Sequence, residues 1–182
     1  ILAFHNFQQK YGGFVPRMTV SPDGKPLLSW RVHLLPFIER NDLYQRFHLD
    51  EPWDSPHNAA LIPEIPQVYV TSGGDSVERG RTCVQVPMMR DSYWSGNSTE
   101  WQTFLQLSDS TETICFFVAP PSRSVIWTKP DDLLVDADKP IVSLFSNRDA
   151  VPIARFNGSV ITLLSEVTPE SLRSQLTHAS GD

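Results

Sequence analysis

The chain has 182 residues, of which 40% are hydrophobic, and it carries a net charge of -6 at pH 7. A chain of this length can bury about 70% of its unfolded surface, so we treat residues 1–182 as one domain. Its 15 Lys and Arg residues form no basic run, which argues against a nucleic-acid-binding protein, because phosphate contacts need clustered cations. No stretch approaches the roughly 20 apolar residues of a membrane span.

A helix is predicted at the start of the sequence. Ile1, Phe4 and Phe7 follow helical spacing on one face. Gly12-Gly13 is expected to end this helix, because glycine adopts the left-handed closing conformation at little cost. Since no capping residue precedes Ile1, we expect residues 1–12 to be the remainder of a longer helix.

The densest block of large apolar side chains spans residues 27–58. Ser29 is the predicted cap of a helix that begins at Trp30, and Pro36 should kink or restart that helix because it has no amide hydrogen. A second short helix is predicted over residues 41–47. Residues 50–58 contain two prolines and are predicted to form an ordered loop around Trp53.

The second half of the chain is predicted to consist mainly of β-structure. Apolar and β-branched runs predict strands over residues 82–86, 103–107, 113–118 and 141–145. Asn157-Gly158 predicts a hairpin with a type I′ turn, which needs positive φ at both central residues. Thr168 and Pro169 are the predicted cap and first residue of the last helix. The fold class is therefore α+β, with the N-terminal helix packed on an antiparallel sheet and a central helical insertion between them.

The two cysteines, Cys83 and Cys115, each lie in a predicted strand. In an exported protein such a pair can form a disulfide between neighbouring strands. Two buried free thiols, which behave as small apolar side chains, fit the sequence equally well. The two alternatives stay open, because a disulfide depends on a Cα separation that the sequence does not supply.

A cluster of acidic residues in one segment is the candidate metal site. Calcium binds oxygen ligands and tolerates irregular loops. The cluster lacks the Asp-x-Asp-x-Asp-Gly spacing of a calcium loop, so the sequence favours solvated surface acids and no cofactor. The weak calcium candidates are Asp131, Asp132, Asp136 and Asp138.

Aromatic side chains provide the candidate binding surface. Of the five tryptophans, we expect Trp94 to be exposed, because it lies in a polar loop, and there it could stack on a sugar. Trp30 and Trp53 are expected in the core, since large aromatic side chains dominate core burial. An extracellular module that binds a glycan or another polymer is therefore the alternative function.

Catalysis has little support in the sequence. Five histidines and many acids are present, but neither a Gly-x-Ser-x-Gly elbow nor a His-Glu-x-x-His pattern occurs. We therefore predict that the protein is not an enzyme, and an envelope hydrolase is the third hypothesis.

Several segments together carry a family resemblance. They include Ser29-Trp30-Arg31-Val32, Leu34-Leu35-Pro36-Phe37, Leu49-Asp50-Glu51-Pro52-Trp53-Asp54-Ser55-Pro56-His57-Asn58 and Asn157-Gly158-Ser159-Val160. With these segments the chain resembles the pilin-like family of unknown function that is expanded in planctomycete bacteria. Members carry a prepilin-type N-terminal methylation signal and end with His, nine residues, then Asp-Gly. Asn147 and Asn157 replace that His and Asp here, so the turn is retained and the imidazole and carboxylate are lost.

The resemblance implies a type IV pilin-like or pseudopilin-like head whose hydrophobic N-terminal helix is missing from residues 1–182. It implies a structural, exported protein of the cell envelope, anchored in the membrane by that helix in its full-length form and soluble without it. The expected partners are copies of itself or other pilin-like subunits, bound through the same helix. The residues expected to form the structural motif are Trp30, Pro36, Trp53, Asn157 and Gly158.

Overall fold

The computed structural model of the protein describes residues 1–71, 80–90, 92–94 and 112–177. In these residues the fold is mixed α/β, with small sheets and six α-helices. The helices are α1 Leu2–Tyr11, α2 Trp30–His33, α3 Asn41–Tyr44, α4 Pro56–Ala59, α5 Pro140–Phe145 and α6 Pro169–Leu176. Short 3-10 turns span Leu35–Phe37, Ile62–Glu64, Gln67–Tyr69 and Pro121–Arg123.

The strands form one four-stranded sheet and three two-stranded ones. They are β1 Met18–Val20, β2 Pro26–Ser29, β3 Arg81–Thr82, β4 Val84–Gln85, β5 Pro87–Met88, β6 Ile114–Val118, β7 Val125–Ile126, β8 Leu133–Leu134, β9 Ala150–Arg155 and β10 Val160–Leu164. The main sheet has the order β10-β9-β6-β4 and is antiparallel throughout. β1 pairs with β2 and β3 with β7 in antiparallel fashion, whereas β5 and β8 are parallel.

Strand β6 separates two hydrophobic cores. The strand is almost entirely buried, as its run of apolar residues predicts. Its register with β9 shifts between Ile114 and Phe116, so Cys115 and Phe116 both pack into the first core, while Ile114 and Phe117 pack into the second. Helix α1 and the block of residues 27–58 contribute to the first core, and α5 and α6 contribute to the second.

Phe4 of the N-terminal helix contacts strand β6 of the main sheet. The Phe4 side chain is fully buried, and its ring lies 5.4 Å from that of Phe116 in an edge-to-face arrangement. Gly12, with φ of 78°, closes the helix in the left-handed conformation that the sequence predicts. Among the described residues no helix is long and apolar enough to cross a membrane.

The caps predicted for the central block and the last helix are confirmed. The Ser29 hydroxyl accepts from the Arg31 amide at 3.3 Å, and α2 begins at Trp30. Helix α2 ends at His33, and Pro36 lies in the 3-10 turn that follows, Leu35–Phe37. Thr168 caps α6 by accepting from the Ser171 amide. These signals act within three residues of the helix end, which is why they can be identified from the sequence.

Two predictions for the second half are wrong. Residues 141–145 form helix α5 rather than a strand, because Pro140 supplies a first helical position and Leu144 and Phe145 bury together in the second core. The Asn157-Gly158 hairpin exists, but its turn is not type I′, since Gly158 has φ of 92° and Asn157 has no positive φ. The strand predicted over residues 103–107 lies outside the described residues.

The side chain of Phe156 accounts for the turn type. It is buried in the first core, and its amide donates to Thr113 O at 3.0 Å rather than across the hairpin. The loop therefore has three residues, with the Gly158 amide donating to Arg155 O and the Arg155 amide to Ser159 O. This pattern is a type I turn followed by a left-handed glycine.

The positive φ of Gly158 gives a test of this turn. Replacing Gly158 with Val should lower the free energy of unfolding by about 1–3 kcal/mol, because a β-branched residue resists positive φ. Gly158→Asn is the matched control, since Asn tolerates this conformation, and it should lose much less. Urea unfolding of the two variants measures the difference; equal losses would contradict the assigned turn.

Candidate functional site

The described residues contain two notable polar clusters, of which the first is fully buried. Arg31 has no exposed surface and pairs with Asp132 at 2.5 Å. Its guanidinium also donates to Ser29 Oγ at 2.8 Å and, from Nε and Nη2, to Val84 O at 3.0 and 2.9 Å. A buried charge needs this degree of pairing, because desolvation would otherwise cost several kcal/mol.

Asp132 is the partner that completes the cluster. The same carboxylate oxygen that pairs with Arg31 accepts from the Val86 amide at 3.0 Å and from Trp30 Nε1 at 3.5 Å. Burial raises the pKa of Asp132, and the positive charge of Arg31 opposes that shift. Since solvent does not reach the pair, the cluster organises the fold and cannot act on a ligand.

The four weak calcium candidates have separate surroundings in the structure. Asp132 points inward to Arg31, while Asp131 pairs with Lys129 at 3.0 Å. Asp136 Oδ1 accepts from the Asp138 amide at 2.9 Å within their own loop. In the part of the chain that the structure describes, no group of three or more acidic, His or Cys side chains could hold a metal ion.

The prediction that Trp94 is exposed is wrong. The side chain is 3% exposed, and its indole Nε1 donates to Cys115 O at 3.0 Å. Its ring also lies 5.9 Å from that of Phe4, within the first core. A polar neighbourhood in the sequence does not reveal this burial, because the partners of Trp94 come from distant segments. Trp94 therefore offers no platform for a sugar.

The cysteines are free thiols rather than a disulfide. The Ala119 amide donates to Cys83 O at 2.7 Å, which places Cys83 beside Ala119 on the far end of β6. Cys115 lies four residues away along that strand, a separation of about 13 Å. A disulfide needs Cα atoms closer than about 7 Å, and the two thiols lie in different cores.

The second polar cluster lies at the surface, in an open cleft of about 610 Å³. His48 and His57 stack face to face there, with ring centroids 3.5 Å apart and an interplanar angle of 2°. Arg46, which also lines the cleft, forms a bidentate ion pair with Glu64, with both N–O distances at 2.6 Å. This pairing raises the pKa of Arg46 and lowers that of Glu64.

Each imidazole is held by a hydrogen bond on one side. His48 Nδ1 lies 2.8 Å from Glu51 Oε1, and His57 Nε2 lies 2.7 Å from Arg46 O. Hydrogen bonds from Ser55, and then from His48, lower the pKa of the Glu51 carboxyl. Within the described ranges no hydroxyl or thiol is hydrogen-bonded to either ring. The cleft can therefore present polar and aromatic contacts to a ligand.

The loop that carries this cleft is held by Asn58. Its buried amide donates to His48 O, Glu51 O and Pro52 O, and its Oδ1 accepts from the His48 amide. Trp53, which the sequence places at the centre of the loop, is only partly buried and packs against the edge of the first core. The predicted loop over residues 50–58 ends in helix α4, which begins at Pro56, and Asn58 rather than Trp53 organises the segment. The sequence feature that could have indicated this role is a short polar residue, Asn58, placed after Pro52 and Pro56.

The positions of the family's His-x9-Asp-Gly motif lie at opposite ends of β9. Asn147, with φ of 65°, follows α5, and Asn157 follows the strand. Six extended residues between them span about 20 Å, too far for joint action on one substrate. Asn157 Oδ1 instead accepts from the Ser159 amide at 2.8 Å and fixes the hairpin turn. Asn157 therefore has a structural role at this turn.

Comparison with known proteins identifies the family. Residues 1–119 match the family described as "Protein of unknown function (DUF1559)", and the chain belongs to that family. The match includes α1, the central block and the surface cleft, and it ends just after β6. No curated protein and no solved structure matches the chain.

Removing the carboxylate of Asp132 tests the buried ion pair. Asp132→Ala should lower the free energy of unfolding by about 3–5 kcal/mol, because it leaves Arg31 as an uncompensated buried charge. Asp131→Ala is the matched control, since that side chain is half exposed beside Lys129, and it should cost less than about 1 kcal/mol. Chemical denaturation compares the two; a similar cost at both positions would rule out the buried pair.

Truncating the amide of Asn58 tests the loop. Asn58→Ala should cost about 2–4 kcal/mol of stability, because it leaves several buried backbone groups without partners. Asn6→Ala, on the exposed side of α1, is the control and should change stability by less than about 0.5 kcal/mol. Thermal melts followed by circular dichroism measure both, and a melting temperature unmoved by Asn58→Ala would contradict the hydrogen bonds described.

Proposed function

We propose that the chain is the head of a structural, non-enzymatic, pilin-like or pseudopilin-like protein of the bacterial cell envelope. In this proposal the full-length protein is exported and anchored by an apolar helix that continues into α1. Copies of the protein, or other pilin-like subunits, assemble through that helix.

The packing of α1 is the observation that carries the proposal. Phe4 and Phe7 bury one face of the helix against the first core. On the same helix the side chain of Leu2 is 71% exposed, and Ile1 is only partly covered. A helix that packs through Phe4 and Phe7 and leaves Leu2 exposed at its start is suited to continue into an apolar stem.

The sequence motifs and the cleft are consistent with this proposal. The segments that resemble the pilin-like family form the packed central block beneath α1, and the Asn157-Gly158 turn closes the hairpin next to it. Among the residues that the structure describes, the two imidazoles of the cleft bond to Glu51 and to Arg46 O, and the proposal includes no reaction step.

Cell fractionation in the native host tests this function. The full-length protein should be recovered with the envelope, with its N-terminus processed. A full-length protein found wholly in the cytoplasm and unprocessed would overturn the proposal. Leu2→Glu should reduce cross-linked assemblies in the membrane fraction, because it places a charge in an apolar contact. Gln9→Glu, also exposed on α1, is the control for added charge and should leave assembly unchanged.

A further inference from the structure

We propose that the outer edge of strand β10 is a docking site for the same edge of a second copy of this chain. The contact would join two main sheets into one continuous antiparallel sheet across a two-fold axis. It involves the heads alone and does not depend on the N-terminal helix of the proposed function.

The alternation of hydrogen-bonded pairs along the hairpin shows which backbone groups of β10 face outward. The Arg155 amide donates to Ser159 O at 2.9 Å, and the Ser165 amide donates to Asp149 O at 2.8 Å. Hydrogen-bonded pairs alternate along an antiparallel ladder, so Ile161 and Leu163 bond inward to β9. The amides and carbonyls of the other strand residues therefore point away from β9; these residues are Val160, Thr162 and Leu164.

Proline supports this assignment independently. Pro152 lies opposite Thr162 in the register of β9 and β10. Since proline has no amide hydrogen, it fits only where no bond crosses between the strands. β10 is also the last strand of the sheet among the residues that the structure describes.

The same three residues expose their side chains. Val160 is 67% exposed and Leu164 is 53% exposed, and Thr162 between them is also exposed. The strand carries no charge, proline or bulge, which are the features that natural proteins use to block an edge. Within the described part of the chain, Leu164 O accepts from the Val167 amide at 3.3 Å, and the other outward backbone groups are open together with the apolar side chains.

A second copy is the occupant that this edge fits best. An antiparallel two-fold centred on Thr162 pairs it with itself and places Val160 opposite the partner's Leu164 on both sides of the axis. These pairs can exchange up to six backbone hydrogen bonds. The two bonds to Leu164 O compete with the Val167 amide of the same copy, which donates to that oxygen at 3.3 Å, so four bonds have no internal competitor. A two-fold interface uses the same patch twice and needs such self-complementarity.

Hydrogen-bonding side chains beside the strand can also pair across the two-fold. The two-fold brings the turn after β10, which carries Glu166, toward the hairpin end of the other copy. The imidazole of His5 lies there, with Nε2 3.8 Å from the position of a Cβ on Gly158. A single paired strand buries less surface than a stable dimer interface, so the association should be weak and favoured by high protein concentration.

Cysteine cross-linking tests the geometry on residues 1–182. Hydrogen-bonded antiparallel partners have Cα atoms about 5.5 Å apart, within the range of a disulfide. Thr162→Cys should form a disulfide dimer about tenfold faster than Val142→Cys, an exposed control on α5, because pairing raises the local thiol concentration. Equal rates at the two positions would overturn the proposal.

Proline substitution and amide exchange test the hydrogen bonds. Thr162→Pro removes an outward amide without breaking the ladder to β9, so it should abolish the concentration-dependent dimer, whereas Thr162→Val should keep it. In the wild type, exchange of the Val160, Thr162 and Leu164 amides should slow as concentration rises. Protection that is independent of concentration would mean that another segment of the same chain covers the edge. Fast exchange at every concentration would mean that nothing covers it, and either result overturns the proposal.

Discussion

The buried ion pair between Arg31 and Asp132 is the constraint on which the first core depends. A guanidinium without solvent must find a partner for every donor, and the chain supplies these from three separate segments. Ser29 comes from the start of α2, Val84 O from β4 and Asp132 from the segment before β8. The pair thus fixes the central block against the small strands, and Trp30 can then stack on Phe116 at 4.9 Å.

Features of the fold that depend on neighbouring residues could be predicted from the sequence. The caps at Ser29 and Thr168 and the closing glycine of α1 act within one turn of a helix, and all are found where the sequence places them. Residues 141–145 could not be assigned in this way, because their apolar run fits a strand or a buried helix equally well. Packing against the second core decided between the two.

The polar sites were harder to predict, because their environment is also set by residues that are distant in the sequence. Asp132 looks like its neighbour Asp131 in the sequence, yet its environment is set by Arg31, which lies 101 residues earlier. Trp94 is likewise buried by contacts with Phe4 and Cys115 that no local pattern reveals. Asn58 came closest to being predictable, since its partners lie within ten residues and form one loop.

The separation of Arg31 and Asp132 along the chain has a consequence for biosynthesis. During translation, Arg31 emerges about a hundred residues ahead of its counter-ion. The Ser29 amide likewise donates to Thr128 O, and Arg17 donates to Pro130 O, and both acceptors are synthesised about a hundred residues later. Because such non-local contacts form only after loop closure, the first core cannot finish folding until the segment around β8 has left the ribosome. Until then the aromatic side chains of the central block remain accessible to chaperones.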